Sequence, residues 1–570
     1  MRESEELEFE GYRENTIGYR HPLVTPYGTQ TLLYADWAAS GRLYRPIERK
    51  LAQEIGPLAG NPHTAASLTG TAMTAAYEEA KRIIKQHVHA GPNDILLFEG
   101  TGMTGAVNKL QRLLGLKAPA AWRAAYRSGM AEQERPVVFI THMEHHSNHI
   151  SWAETIGEVV GIPPGADGRV DPAWLDVLLR RYQDRRIKIG AFTACSNVTG
   201  FVTPIHELAR VMHRHGGICV VDYSASAPYV PIDMHPPGAP EERLDAILFS
   251  PHKFLGGPGT SGVLVMDAGL TAGASPDRPG GGTVSWTSPW GEVQYLPDAE
   301  SREDGGTPGV MQAVRTALSL RLKEQMGVGR LLRRERELTG RLLSELEAVP
   351  GLTILGGPGR ERLGIVSFTL EPIHYNLAVK LLNDRFGIQA RGGCSCAGTY
   401  GHYLLGIDQA ASQRIARRIA SGDFTAKPGW VRISLHPMMT ADEVAFIGYA
   451  LLQVAARGQD WARDYSYDPR TNEWSHRREE TRISLDEWFR LPDPTARDKG
   501  DLADVSPPYH SSKGLSAAQS FAPASTWRPS SVRSTRLSAS PASGRSRLGG
   551  SSQPLMLNSA KGSLANAARR

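Results

Sequence analysis

From Asp94 to Asp267 the chain repeats one pattern, a short and continuously apolar run followed by a polar turn or a segment with helical spacing. The runs are "DILLF", "VVFITH", "IKIGAFTA", "ICVVDYSA", "AILFS" and "GVLVMD", and none alternates apolar with polar residues. A strand can be apolar on both faces only where both faces are covered. "GAVNKLQRLLG", "DPAWLDVLLRRYQ" and "PIHELARVMHRHG" supply apolar stripes of the kind a covering helix presents. The pattern predicts an α/β fold built on a mainly parallel sheet clad on both sides. A long helical stretch from about Met311 to Val349 comes next. "LGIVSFTLE", "GIQARGG" and "GWVRISLH" then predict the strands of a smaller α/β domain, closed by the helix "TADEVAFIGYALLQVA".

The expected organisation is an N-terminal segment (1–33), a large domain (34–310), a small C-terminal domain (311–463) and an extension (464–492). The aromatic residues of "DYSYDPRTNEWSHRREE" suit that extension to packing on the body. The remaining tail (493–570) is rich in Ser, Pro, Gly and Arg. It has too few bulky side chains to offset its ordering entropy, so it is expected to be disordered. The net charge of +5 is a property of that tail: from Val505 onward there are nine Lys or Arg and no acidic residue, which leaves −4 for the rest. No nucleic-acid partner is therefore expected for the folded body. No apolar run reaches the ~20 residues of a membrane span. "MRESEELEFEGYREN" is neither a secretory signal nor a transit peptide. Four cysteines in 570 residues do not make a disulfide scaffold, and a reduced, cytoplasmic protein is expected.

Several short motifs carry chemistry. "GTGMTG", Gly100 to Gly105, follows a strand and opens a helix, the setting of a dinucleotide fingerprint. No acidic residue closes a second strand ~20 residues on, where a ribose would bind. A helix N-terminus suits any phosphate, and a plain tight turn is the other reading. "GPGTSG", Gly257 to Gly262, runs straight into a strand and is rejected. Lys253 in "FSPHKFLGG" follows an apolar strand; if buried it must be paired, covalently engaged or depressed in pKa, and otherwise it is a loop lysine. Asp222 ends "ICVVD", where such sheets bind ligands. A carboxylate there can keep a pyridine nitrogen protonated, or simply cap a helix. "THMEHHSNHISW" holds His142, His145, His146 and His149. It lacks the HExxH order and a carboxylate cluster, so no metal is expected; an imidazole after a strand end can stack on an aromatic cofactor.

In chain order these are a glycine-rich phosphate turn, Glu-His-His, "SNVTG", Asp222 and "SPHK". That order resembles the class V, fold-type I pyridoxal-phosphate enzymes, and within them the cysteine desulfurase and selenocysteine lyase group, over roughly Tyr34 to Ala456. The resemblance implies pyridoxal 5'-phosphate as cofactor. By it, Lys253 would bind the cofactor covalently and later shuttle a proton, Asp222 would pair with the pyridine nitrogen, and His145 would stack on the ring. Asn197 would bond the phenolic oxygen. Gly102, Met103, Thr104, Ser250 and His252 would form the phosphate cup. Thr283 in "GGGTVSW" would reach the phosphate of a neighbouring subunit, implying a homodimer. Arg432 would clamp the substrate carboxylate, with Arg391 as a second substrate-binding residue; a solvated strand arginine is the plainer reading of Arg432. The desulfurases usually carry glutamine three residues after the aspartate, and here Ala225 stands there.

"ARGGCSCAG" sits where the desulfurases carry Arg-x-Gly-His-His-Cys-Ala. Aligned on Arg391, Cys396 matches the nucleophile and Cys394 replaces the first histidine. Gly-Cys-x-Cys is also similar to the desulfurase-like domain of molybdenum-cofactor sulfurases. A zinc site would need two more ligands, and Cys195 and Cys219 each read as part of an apolar strand. A disulfide across one residue is strained. A thiol on a glycine-rich loop, reactive as its thiolate, is the favoured reading. The resemblance then implies conversion of L-cysteine to L-alanine, with the sulfur held on Cys396 as a persulfide for an acceptor protein. Three alternatives stand beside it. They are another class V activity such as a transaminase or epimerase, a dinucleotide-dependent oxidoreductase, and a non-catalytic partner-binding protein.

Overall fold

The computed structural model describes residues 6–478 apart from 101, 272, 274 and 360, together with 485–491. The tail expected to be disordered (493–570) lies outside the described residues.

Seven strands form the central sheet: β1 (Asp94–Glu99), β2 (Val137–Thr141), β3 (Glu158–Ile162), β4 (Lys188–Thr193), β5 (Ile218–Asp222), β6 (Ala246–Phe249) and β7 (Gly262–Asp267). Their order is β1-β7-β6-β5-β4-β2-β3, and β7 alone runs against its neighbours. The missing polar alternation has a direct cause. Val138, Ile140, Val220 and Leu248 enter one core with α1 (Gly102–Leu113), while Val137, Phe139, Val221 and Phe249 enter another. That second core also takes Leu175 and Leu179 of α3 (Pro172–Arg181) and Leu208 and Met212 of α4 (Ile205–Arg214). The short helix α2 (His146–Ala153) follows β2. Edge strand β3 is mostly half-buried and had no distinct apolar run to announce it.

The helical stretch after Val310 is two helices, α5 (Val310–Met326) and α6 (Val328–Glu347), separated by Gly327 at φ +81°. A second, antiparallel sheet contains β8 (Leu352–Ile354), β9 (Ile365–Leu370), β10 (Arg391–Gly393) and β11 (Trp430–Ser434) in the order β8-β9-β11-β10. It is accompanied by α7 (Tyr375–Phe386), α8 (Gly398–Leu404) and α9 (Ala441–Trp461). Helix α9 begins in a reciprocal cap, with Glu443 N–H on Thr440 Oγ1 at 3.0 Å and Thr440 N–H on Glu443 Oε2 at 2.9 Å.

"GIQARGG" is not one strand. Ile388–Gln389 pairs in parallel with Leu33–Tyr34, and only Arg391–Gly393 joins the second sheet. Residues 33–36 are thereby drawn beside β11, where Ser434 N–H donates to Ala35 O at 2.7 Å. A hairpin of Tyr465–Asp468 and Glu473–His476 packs on α7, and Tyr465 Oη donates to Asp384 Oδ2 at 2.9 Å. Among the described residues no helix is long and apolar enough to cross a membrane.

Candidate active site

Because β2, β4, β5 and β6 run in parallel, their carboxyl ends open on one edge of the sheet, where such folds bind ligands. Strand β1 points the same way, since β7 is antiparallel to both β1 and β6. The glycine-rich turn before α1 therefore reaches the same edge.

That turn meets the segment after β6. Met103 N–H donates to Ser250 Oγ at 2.9 Å, and Ser250 Oγ lies 3.4 Å from Ser224 Oγ. Gly102 has φ +61°, and a Cβ there would stand 2.9 Å from Ser250 Oγ and 3.0 Å from His252 Cε1. The backbone must come this close, so glycine is needed. Thr104 is exposed, its Oγ1 2.7 Å from Ser147 Oγ. The result is a polar cradle at a helix N-terminus, suited to an anion.

Asp222 is buried, with Oδ1 accepting the Ser224 N–H at 2.8 Å. Burial pushes its carboxyl up, against the Ser224 hydrogen bonds and the Lys253 charge. Lys253 follows β6 in a tight turn, and its ammonium makes no hydrogen bond or ion pair among the described residues. Burial lowers it to about 8; the Arg432 charge pushes the same way and Asp222 opposes. His145 caps α2 through Nδ1, which accepts the Ser147 N–H at 3.1 Å. Burial and the Lys253 charge bring it down to about 3, so the ring is neutral. His252, lowered to about 4 for the same two reasons, is neutral as well.

The second sheet contributes the opposite wall. Arg432 is buried, its Nη2 2.8 Å from Asp36 Oδ1 and its Nη1 3.0 Å from Asn197 O, while Nε has no partner. The solvated-arginine reading of Arg432 is therefore wrong. Arg391, more exposed, donates from Nε to Asp36 Oδ2 at 3.0 Å. Asn197 gives its amide N–H to Ser395 O at 2.7 Å and leaves Oδ1 buried and unpaired.

The cysteine loop lies between β10 and α8. Ser395 and Cys396 both adopt left-handed backbone, at φ +49° and +54°. Cys396 is exposed and Cys394 half-buried, and all four cysteines are free. Cys219 lies in β5, but Cys195 sits just past β4, in a turn where it bridges to Val202. Ala225 is buried beside Ala38, Cys195 and Tyr229. Thr283 is not gathered with the other residues; it is buried and its hydroxyl donates to Gly280 O at 2.7 Å. No group of three His, Cys, Asp or Glu among the described residues is arranged to hold a metal.

Two residues escaped the sequence reading. Asp36 joins both arginines, and its one signal was a lone carboxylate in the apolar "LLYADWAAS". Glu144 is buried and ties β2 to β4, accepting from Thr141 Oγ1 at 2.7 Å, Thr193 N at 2.9 Å and Asn148 Nδ2 at 2.8 Å. Its only trace was its place before two histidines.

The aminotransferase class-V family model matches residues 33–447, which takes in every residue of the candidate site. The chain belongs to this family. It is therefore a pyridoxal-phosphate-dependent enzyme, and neither the dinucleotide-dependent nor the non-catalytic alternative stands. Among related proteins, a probable cysteine desulfurase of Halalkalibacterium halodurans is 29% identical over 374 residues, covering 64% of this chain and 84% of that protein. One from Streptomyces coelicolor is also 29% identical over 374 residues, covering 64% and 83%. Among solved structures, the apo cysteine desulfurase of Thermococcus onnurineus superposes with a TM-score of 0.60 at 21% identity, over 75% of this chain and 95% of that one. The cysteine desulfurase CsdA of Escherichia coli gives 0.58 at 23% identity, over 75% and 94%. These likenesses establish that the class-V enzyme has the cysteine desulfurase fold.

Proposed function

We propose that this enzyme is a cysteine desulfurase that converts L-cysteine to L-alanine and keeps the sulfur as a persulfide on Cys396. The observation that carries the reading is a set of unpaired polar groups around one space. Asn197 Oδ1 and Arg432 Nε are buried without a partner, Lys253 Nζ makes no hydrogen bond or ion pair among the described residues, the Asp222 carboxylate is buried near Lys253, and an anion cradle lies beside them. Unpaired buried groups are costly; a substrate carboxylate would satisfy Arg432 Nε, and pyridoxal phosphate would engage Lys253 and Asp222.

Gly102, Met103, Thr104, Ser250 and His252 would hold the phosphate. Asp222 would hold the pyridine nitrogen, Asn197 would donate its second Nδ2 hydrogen to the phenolic oxygen, and His145 would lie against the ring. When bound, this cofactor supplies an electron sink for the substrate carbon beside the amino group. Ala225 cannot donate the hydrogen bond of the usual glutamine, which leaves Asn197 as the side chain for the phenolic oxygen. Arg432, with Arg391 beside it, would take the substrate carboxylate. Lys253 would bind the cofactor covalently and, once displaced by substrate, remove the α-proton; an amine titrating at about 8 suits that work. The Cys396 thiolate would then attack the substrate sulfur. The new S–S bond replaces the substrate C–S bond, whose electron pair leaves with the carbon skeleton and is protonated to give alanine.

The reading includes a homodimer, an acceptor protein that removes the sulfur, and a cytoplasmic location in keeping with free thiols. Thr283 leads into a hairpin, Val284–Thr287 with Val293–Tyr295, on which Trp286 and Trp290 are 60% and 86% exposed. Two bare tryptophans suit a subunit interface.

The experiment is to load the protein with pyridoxal phosphate, add L-cysteine, and follow the visible band and alanine in one tube. A shift of the band with alanine formed is expected. A shift without alanine would overturn the desulfurase reading in favour of a transaminase or epimerase.

A further inference from the structure

Three of the four clustered histidines have no part in the chemistry above, and all three face the cysteine loop and the helix that follows it. His146 makes the closest contacts. Its Nε2 accepts the Gly398 N–H at 2.9 Å, and its backbone N–H donates to Cys396 O at 2.7 Å. His149 Nδ1 lies 3.3 Å from Thr399 Oγ1. His142 stands edge-on to Tyr400 and Tyr403, with ring centroids 5.5 and 5.7 Å away. One turn of α2 thus grips the chain on both sides of Ala397, while Asn197 holds Ser395 O from across the site at 2.7 Å.

The grip has a physical purpose. Ser395 and Cys396 are non-glycine residues in left-handed backbone, a strained conformation that persists only where the surroundings enforce it. A backbone N–H can only donate, so the bond from Gly398 requires His146 Nε2 to be unprotonated, with any proton on Nδ1. Burial, with the His149 charge, lowers His146 and favours that neutral form.

We propose that His146 is the positioning residue of the thiol: as a fixed acceptor for the Gly398 N–H, it holds the loop 394–398 in the bend that presents Cys396. The inference rests on Cys396 being the sulfur-accepting thiol. It gives the histidine-rich motif a role that needs no metal, since the residue after His145 pins the loop bearing Cys396.

The test uses the full-length, cofactor-loaded protein with two variants. His146→Leu keeps bulk but removes the acceptor, and His146→Gln restores an acceptor at similar reach. Amide hydrogen exchange of the peptide spanning residues 394–398 reads the latch, and alanine formed from L-cysteine reads its consequence. In H146L, exchange at Gly398 should quicken and alanine formation slow, each by about tenfold, the worth of one hydrogen bond near the top of the usual range. The visible band and its response to L-cysteine should not change. H146Q should recover most of both losses. Wild-type exchange in H146L, or H146Q as impaired as H146L, would overturn the proposal. The two readings fail separately: a wild type that forms no alanine sinks the desulfurase reading, while exchange still decides whether His146 is the latch.

Discussion

Asp36 Oδ1 lies 2.8 Å from Arg432 Nη2, and the other oxygen of the same carboxylate takes Arg391 Nε at 3.0 Å. One buried carboxylate thus steadies both arginines that flank the site. It reaches them because residues 33–36 run between Ile388–Gln389 and β11. Removing one partner of a buried ion pair leaves a desolvated charge, which costs about 3–5 kcal/mol. Asp36→Ala should lose stability of that order in urea unfolding and should raise KM for the amino-acid substrate. A loss below about 1 kcal/mol would mean that solvent reaches the arginines and that Asp36 does not hold them.

Lys253 should behave as an unusually acidic amine. In the cofactor-free protein, labelling of Lys253 by an amine-acylating reagent should rise through a midpoint at about 8, well below an ordinary lysine. The Asp222 charge favours the ammonium and the Arg432 charge opposes it. Asp222→Asn should therefore move the midpoint down and Arg432→Met should move it up. A midpoint above 10, or shifts of the opposite sign, would contradict this environment.

His436 is buried, its ring 4.4 Å from that of Trp37, and burial alone lowers it to about 3 from 6.5. The folded state holds it neutral while the unfolded chain protonates it. Its share of the stability is thus present above 6.5 and lost progressively as pH falls towards about 3. Across that window, one proton taken up on unfolding is worth about 1.4 kcal/mol per pH unit. His436→Gln should make the pH dependence of unfolding shallower by that amount. An unchanged slope would show that His436 is protonated in the fold.

The exposed Trp290 offers a test of assembly. Sedimentation of the wild type should give a dimer, and Trp290→Glu should weaken it to a concentration-dependent monomer–dimer mixture. A wild type that sediments as a monomer at all concentrations would remove Thr283 from any role in a neighbouring site.

How much of this was legible in the chain follows from how local each signal is. Val137 to Ile140 feed two cores alternately, so the covered sheet could be read from composition within one strand. Lys253, Asp222 and Gly102 each belong to a strand end or turn marked by its own neighbours, and parallel topology brings those ends together. Asp36 and His146 were not legible in that way. Their partners lie hundreds of residues away, and no periodicity records such a pairing. The break at Gly327 was missed because a single glycine inside a helical pattern is often tolerated. The split of "GIQARGG" depends on Leu33–Tyr34, which compete for the first half of that segment.

The most direct measurement is a single turnover of cofactor-loaded protein with one equivalent of L-cysteine, followed by mass spectrometry of the peptide that carries Cys394 and Cys396. The account predicts one added sulfur atom on Cys396, matched by one alanine, and neither product in Cys396→Ala. Alanine released with no sulfur on that peptide, or formed equally well by Cys396→Ala, would contradict it.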